Sequence, residues 1–179
     1  MPTNFPTNPD SYTTKVDGVD NVMAAHINDL QDAMMAVQDF ALDLRDGLGK
    51  WQSYTVSWTA STTNPSIGNG ILNGRYVQIG KTVMGTIEMI VGSTTTYGSG
   101  GWYFSLPKAV ASNAFLTGNW VAIDASPLKF YAGLLRAYGN EDKISQFIRD
   151  AGLYWLADIT PHTWADGDSL RISFTYEVA

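Results

Sequence analysis

The chain has no cysteine, which excludes a disulfide framework, a cysteine nucleophile and thiolate metal sites. It is also poor in charge: only 16% of its 179 residues are Asp, Glu, Lys or Arg, against roughly 25% in ordinary globular chains. The 11 basic residues are outnumbered by 17 acidic ones, giving a net charge of −6 with no basic run, so a surface that neutralises phosphates is excluded, and nucleic acid with it. No segment approaches the roughly 20 consecutive apolar residues of a membrane-spanning helix, so no membrane insertion is expected. The start, "MPTNFPTNPDSYTT", has neither a basic cluster nor an apolar stretch, so no signal peptide is legible. A soluble protein is the expectation.

Chemistry-bearing motifs are equally scarce. The two histidines, His26 and His162, lack metal-ligand spacing, and no Gly-x-Ser-x-Gly elbow occurs. Asp158, Asp166 and Asp168 are close enough in sequence for a carboxylate pair or a calcium site, but "ADGD" reads as an ordinary turn and lacks the alternation of an EF-hand loop. No catalytic residue, no metal ligand and no cofactor is expected, and the protein is read as a non-enzyme.

What is present is apolar residues, at 45%, set among Thr, Ser, Asn and Gly. Residues 1–19 contain Pro2, Pro6, Pro9 and Gly18, a composition that resists helix and suits an extended arm. Phe5 and Tyr12 are its candidate anchors to a neighbouring surface. The pattern then changes: Asp20 can cap a helix, Gly47 and Gly49 can close it, and the 26 residues of 21–46 contain neither Gly nor Pro.

Within this 20–47 segment the apolar residues Met23, Ile27, Leu30, Met34, Val37, Ala41 and Leu44 alternate steps of four and three. That is the a/d seam of a coiled coil. The outer positions carry Asp29, Asp32, Asp39, Asp43 and Asp46. Few charges border the seam and Phe40 widens it, which suits three helices better than two, so the expected partner is the chain itself, as a homotrimer. The alternative is one amphipathic helix packed on its own domain; the strict sevenfold spacing favours self-association.

From Trp51 the period becomes two. "YTVSWTAS" and "SLRISFTYEV" alternate apolar and polar residues, as half-buried antiparallel strands do. Further strands are read near 70–80, 82–91, 102–106, 119–124, 128–136 and 153–158, while "EDKISQFIRDAG" is ambiguous between helix and strand. About eight strands in residues 51–179 predict an antiparallel β-sandwich or jelly-roll-like domain, so the whole chain is read as mainly β with an N-terminal α-helix.

"GNGILNGRYVQIGKT" imitates a glycine-rich nucleotide loop. A phosphate loop needs a helix after its glycines, and the following "VMGTIEMIVG" is a strand; the first glycine of a P-loop ending at Gly80-Lys81-Thr82 would also fall at Arg75. Gly80-Lys81 is therefore read as a hairpin turn, and Gly68 to Gly74 as a loop and bulge. Aromatics are plentiful, with six Trp and nine Tyr. Tyr97, Trp102 and Trp164 stand in or beside turn-rich stretches and are the candidates for stacking on a sugar, with core packing as the competing reading.

Several phrases carry a resemblance: "AAHINDLQDAMMAVQ" in the helix, "WTASTTNPSIGNGILNGRYVQIGKTV" and "GSTTTYGSGGWYFSLP" in the β segment, and "WADGDSLRISFTYE" near the end. Together they resemble virion proteins of tailed bacteriophages, of the minor tail protein and short tail fibre type found in phages of actinobacteria. The resemblance implies a trimeric virion component, assembled in the host cytoplasm and placed on the tail or the capsid exterior. The arm would dock on other phage tail or capsid proteins, the helix would form a stalk, and the β domain would project, with adhesion to host cell-surface polysaccharide as its candidate role. The alternative is a capsid decoration protein, or head fibre, on the outside of the shell.

Overall fold

In the computed structural model the chain divides into two compact units between Gly49 and Lys50. The structure describes residues 24–47, 49–149, 152–154, 156–157 and 160–179. The expected arm over 1–19 with Phe5 and Tyr12, the capping Asp20 and the first seam residue Met23 lie outside them, as do Trp155 and Asp158.

The first unit contributes one helix, α1, Ala24–Gly47. Its run of Ala, Met, Leu and Gln carries no residue that breaks a helix. Two residues beyond it Gly49 has φ 80°, a left-handed conformation that glycine adopts without strain. Ile27, Leu30, Met34, Val37 and Leu44 are 46–56% exposed in the single chain, and Ala41 is exposed as well.

The second unit is all antiparallel. Its strands are β1 (Gln52–Tyr54), β2 (Trp58–Ala60), β3 (Ile71–Ile79), β4 (Thr82–Ile90), β5 (Trp102–Ser105), β6 (Phe115–Ala125), β7 (Leu128–Tyr138), β8 (Lys143–Ile144), β9 (Gln146–Arg149), β10 (Gly152–Tyr154) and β11 (Ser169–Glu177). Eight of them form a wide sheet in the order β1-β3-β4-β11-β6-β7-β9-β10, and the other three a narrow sheet, β2-β5-β8. The mainly β expectation with one N-terminal helix holds, and two very unequal antiparallel sheets contribute to one core.

That core follows from alternation. β11 turns Leu170, Ile172, Phe174 and Tyr176 inward and Arg171, Ser173, Thr175 and Glu177 outward. β11 aligns nine residues with β4 and seven with β6, which makes it the central strand of the wide sheet. From the narrow sheet come Trp58, Trp102, Phe104 and Ile144. Trp102 and Trp120 have no exposed surface, and each indole N–H donates to a carbonyl, Tyr97 O at 3.0 Å and Leu134 O at 3.1 Å. Each buried ring of this size contributes about 3 kcal/mol by transfer from water.

Three sequence expectations change. The single strand expected over 54–60 is two strands in different sheets, broken between Tyr54 and Trp58; the inward residues keep their spacing of two while the chain crosses from one sheet to the other. The ambiguous 141–152 stretch forms strands. Ile144 and Phe147 are both fully buried yet three apart, a helix-like spacing, because β8 lies in the narrow sheet and β9 in the wide one. The strand expected over 153–158 starts one residue earlier, as β10 (Gly152–Tyr154), and the described Leu156 and Ala157 lie outside it.

The glycine-rich stretch is strand, turn and strand. β3 and β4 pair from Ile79↔Thr82 to Ile71↔Ile90, and Gly80 turns between them at φ 57°. At Gly74 the Tyr54 ring and Val56 side chain occupy the space that a Cβ would need. The two turn-rich separators also pair with each other: Thr63 bridges Ser99, Ser66 bridges Thr96, and Asn69 and Thr94 exchange hydrogen bonds of 2.9 Å.

Candidate functional site

Residues paired across an antiparallel ladder share a face, so the register defines what the wide sheet presents outward. Asn73 pairs with Glu88 and Arg75 with Thr86; on the next strand Glu88 pairs with Arg171 and Thr86 with Ser173. These six side chains line an open trough of about 410 Å³. A second depression of about 470 Å³ shares Thr86 and Ser173 with it and adds Trp51, Met84, Thr117, Asn119 and Thr175.

Trp51 is 46% exposed, and the Arg75 guanidinium lies 5.2 Å from its ring centroid. Arg171 Nε is 3.4 Å from Glu88 Oε1, an exposed pair worth no more than about 1 kcal/mol, too weak to lock either side chain. Two guanidinium forks, a carboxylate, two side-chain amides, several hydroxyls and one flat indole converge here. Such a set can hydrogen-bond ring hydroxyls or a carboxylate and stack on the apolar face of a pyranose. Arg75, Glu88 and Arg171 were missed in the sequence because each looks like an ordinary outward residue of an alternating strand. The signal lies in the cross-strand register, which one sequence does not contain.

The aromatics singled out from the sequence are elsewhere. Trp102 is fully buried and Trp164 is 3% exposed, so neither offers a ring face to a sugar. Trp102 packs edge-on against Trp58 at 4.8 Å and beside Trp164 at 5.3 Å, and the Trp164 N–H donates to Ala157 O and Thr160 O. Tyr97 is half-buried and stacks on Trp102 at 6.5 Å. Burial, with the Asp168 and Asp166 carboxylates adding to it, raises the Tyr97 phenol above the ordinary tyrosine value.

Asp168, read from the sequence as a turn residue or ion ligand, is 2% exposed and engaged on both oxygens. Its Oδ1 accepts from Ala125 N–H at 2.8 Å; its Oδ2 accepts from Ala165 N–H at 2.7 Å and lies 2.9 Å from His162 Nε2. The His162 ring stacks between Tyr131 at 5.2 Å and Trp164 at 4.5 Å, and its Nδ1 is buried without a hydrogen-bond partner. The arrangement ties the 162–168 loop to the end of β6. Asp166 stays exposed, and among the described residues no cluster of three His, Cys, Asp or Glu could hold a metal ion. His26 falls within α1.

No family model matches the chain, and no solved structure matches it. Over 127 residues, 70% of its length, the chain is 30% identical to the Mu-like prophage FluMu defective tail fiber protein of Haemophilus influenzae. The chain spans 20% of that protein's length.

Proposed function

We propose that the chain is a structural component of a bacteriophage tail fibre, and that it acts by adhesion without catalysis. The observation that carries this is the similarity to a prophage tail fibre protein over 70% of the chain. In this reading residues 1–19 dock on other tail proteins through Phe5 and Tyr12. Three copies of α1 wind into a stalk through Met23, Ile27, Leu30, Met34, Val37, Ala41 and Leu44, and the β units project from it. The exposed sevenfold stripe of α1 supports the stalk.

The proposed ligand is a host cell-surface polysaccharide, held in the outward trough by Trp51, Arg75, Glu88 and Arg171 in place of the buried Trp102 and Trp164. Three shallow sites per spike, and several spikes per particle, would multiply a weak contact through effective concentration. An actinobacterial host belongs to the same proposal.

The test is imaging of intact virions labelled with an antibody to the β unit. Label on the tail is the expected result; label over the shell would replace this reading with the head-fibre one. For the ligand, envelope polysaccharides from actinobacterial and Gram-negative cells are titrated against the purified protein and against Trp51→Ala. Binding that is unchanged by that substitution would move the site away from the trough.

A further inference from the structure

The outward face of the wide sheet has a second half of opposite chemistry. On β7 the outward residues are Leu128, Phe130, Ala132 and Leu134; the three large ones are 67%, 65% and 60% exposed, and Ala132 is exposed too. Register places Ile123 and Val121 of β6 beside Phe130 and Ala132, and Ile148 of β9 beside Leu134. Among the described residues no charged side chain stands within this strip. Lys129 belongs to the opposite parity, and two outward charges stand at the borders: Arg171, paired with Val121 on the β11 side, and Arg136, hydrogen-bonded to Gln146 at 2.7 Å with its guanidinium over Tyr138.

An antiparallel sheet that meets water on one face normally alternates apolar inside and polar outside, as β11 does. β7 does not: its outward row is apolar from Leu128 to Leu134, while Leu135 and Ala137 on the other side are buried in the core. An outward row of this size without polar residues is the kind of patch that marks an interaction surface. The strip presents roughly 500 Å² of apolar surface, at the upper end of what monomers leave to water. Beyond the polar pair Thr117 and Arg136, Phe115, 66% exposed, and Tyr138, 41% exposed, resume the apolar face and bring it toward the roughly 800 Å² per partner of a stable interface.

We propose that this strip is a self-association surface, covered by the β unit of a second copy of the chain. The proposal rests on the self-association put forward above and adds a contact within the β units that does not depend on the helix seam. The absence of charge from the strip's centre matches the depletion found at the cores of interfaces between like subunits, whereas a transient partner or a polysaccharide requires polar groups there. The trough, on β3, β4 and β11 of the same face, lies beside the covered strip and stays open.

The absence of native cysteine provides the test. Ala132→Cys in the full chain places the only thiol in the middle of the strip, with little change in size. Maleimide labelling and sedimentation are followed together across a dilution series in three backgrounds: otherwise unchanged, seam broken by Leu30→Asp with Met34→Asp, and strip made polar by Phe130→Thr with Leu134→Thr. In the unchanged background the oligomer is expected to label at least ~10-fold more slowly than the polar-strip variant, because only the dissociated chain exposes the thiol. The seam-broken chain should keep concentration-dependent protection. Since Phe130 and Leu134 are exposed, the polar-strip variant should fold, which its tryptophan fluorescence verifies.

An oligomer whose thiol labels as fast as the polar-strip variant would overturn the strip and leave the helix seam standing. A monomer at every concentration would overturn both. Protection that does not change with dilution in the seam-broken chain would overturn the second copy as occupant, because cover of that kind comes from within the chain.

Discussion

Replacing Asp168 with alanine removes one acceptor group and strands three donors. Two of them, the amides of Ala125 and Ala165, sit on exposed residues where water can replace the carboxylate, so each loss should cost about 0.5–1 kcal/mol. The third, His162, has a side chain only 6% exposed and an Nδ1 already without a partner, and losing its last hydrogen bond should cost about 1–2 kcal/mol. The sum is about 3 kcal/mol, a large fraction of the 5–15 kcal/mol typical of a folded domain. Asp168→Asn keeps the shape and one oxygen, so it should cost about half as much. Urea unfolding at pH 7, followed by tryptophan fluorescence at one fixed protomer concentration, measures both. His162→Phe, which keeps the ring stack, completes a double-mutant cycle with an expected coupling of about 1–2 kcal/mol. A loss below about 1 kcal/mol for Asp168→Ala, with no coupling to His162, would refute the assignment of this carboxylate as the pin of the loop.

Leu30→Asp puts a carboxylate into each strand of the proposed helix seam, and sedimentation should show weaker association; an unchanged oligomer would mean that α1 plays no part in it. Gly74→Ala should destabilise by about 1–3 kcal/mol in thermal unfolding, because the new methyl meets the Tyr54 ring and Val56. The Tyr176 hydroxyl donates to Lys108 O at 2.8 Å, and its pKa is pushed up to about 12, chiefly by burial. Below pH 10 it leaves stability independent of pH; between roughly pH 10 and 12 the unfolded chain releases a proton that the folded chain keeps, so stability falls as pH rises, and Tyr176→Phe should flatten that slope. Arg171→Ala should weaken any polysaccharide binding while leaving the melting temperature within about 1–2 °C, since its ion pair with Glu88 is exposed.

The parts of the fold legible in the sequence are those where one face is wet. β3, β4 and β11 alternate cleanly, and Gly80-Lys81 punctuates the first two, so their pairing could be anticipated. β7 could not be read as fully, because in "LKFYAGLL" the apolar Leu128, Phe130 and Leu134 take the outward parity and Lys129 and Tyr131 the inward one, so alternation points to the wrong face. Sheet switching hid two further breaks: between Tyr54 and Trp58 the inward periodicity survives the crossing, and between Ile144 and Phe147 it imitates a helix. Trp102 and Trp164 were placed among loop rings because Gly, Ser and Asp surround them. Those residues instead form the turns that let large rings fold back into the core. The trough was illegible for a simpler reason: Arg75, Glu88 and Arg171 are far apart in sequence and meet only through the register of three strands.

The position of β11 carries a consequence for how the chain is made. The hairpin β3–β4 and the run β6–β7–β9–β10 are each built from nearby residues and can pair as they leave the ribosome, but within the wide sheet no strand joins them until residues 169–177 arrive and insert between them. Until then the nascent chain holds two half-sheets, each with a long edge of unpaired amides and carbonyls along β4 and β6. A ribosome that stalls or shifts frame before β11 therefore releases a product that cannot close and remains prone to aggregate. Insertion of this one strand acts as a checkpoint, because only chains read through residue 177 hold a continuous wide sheet.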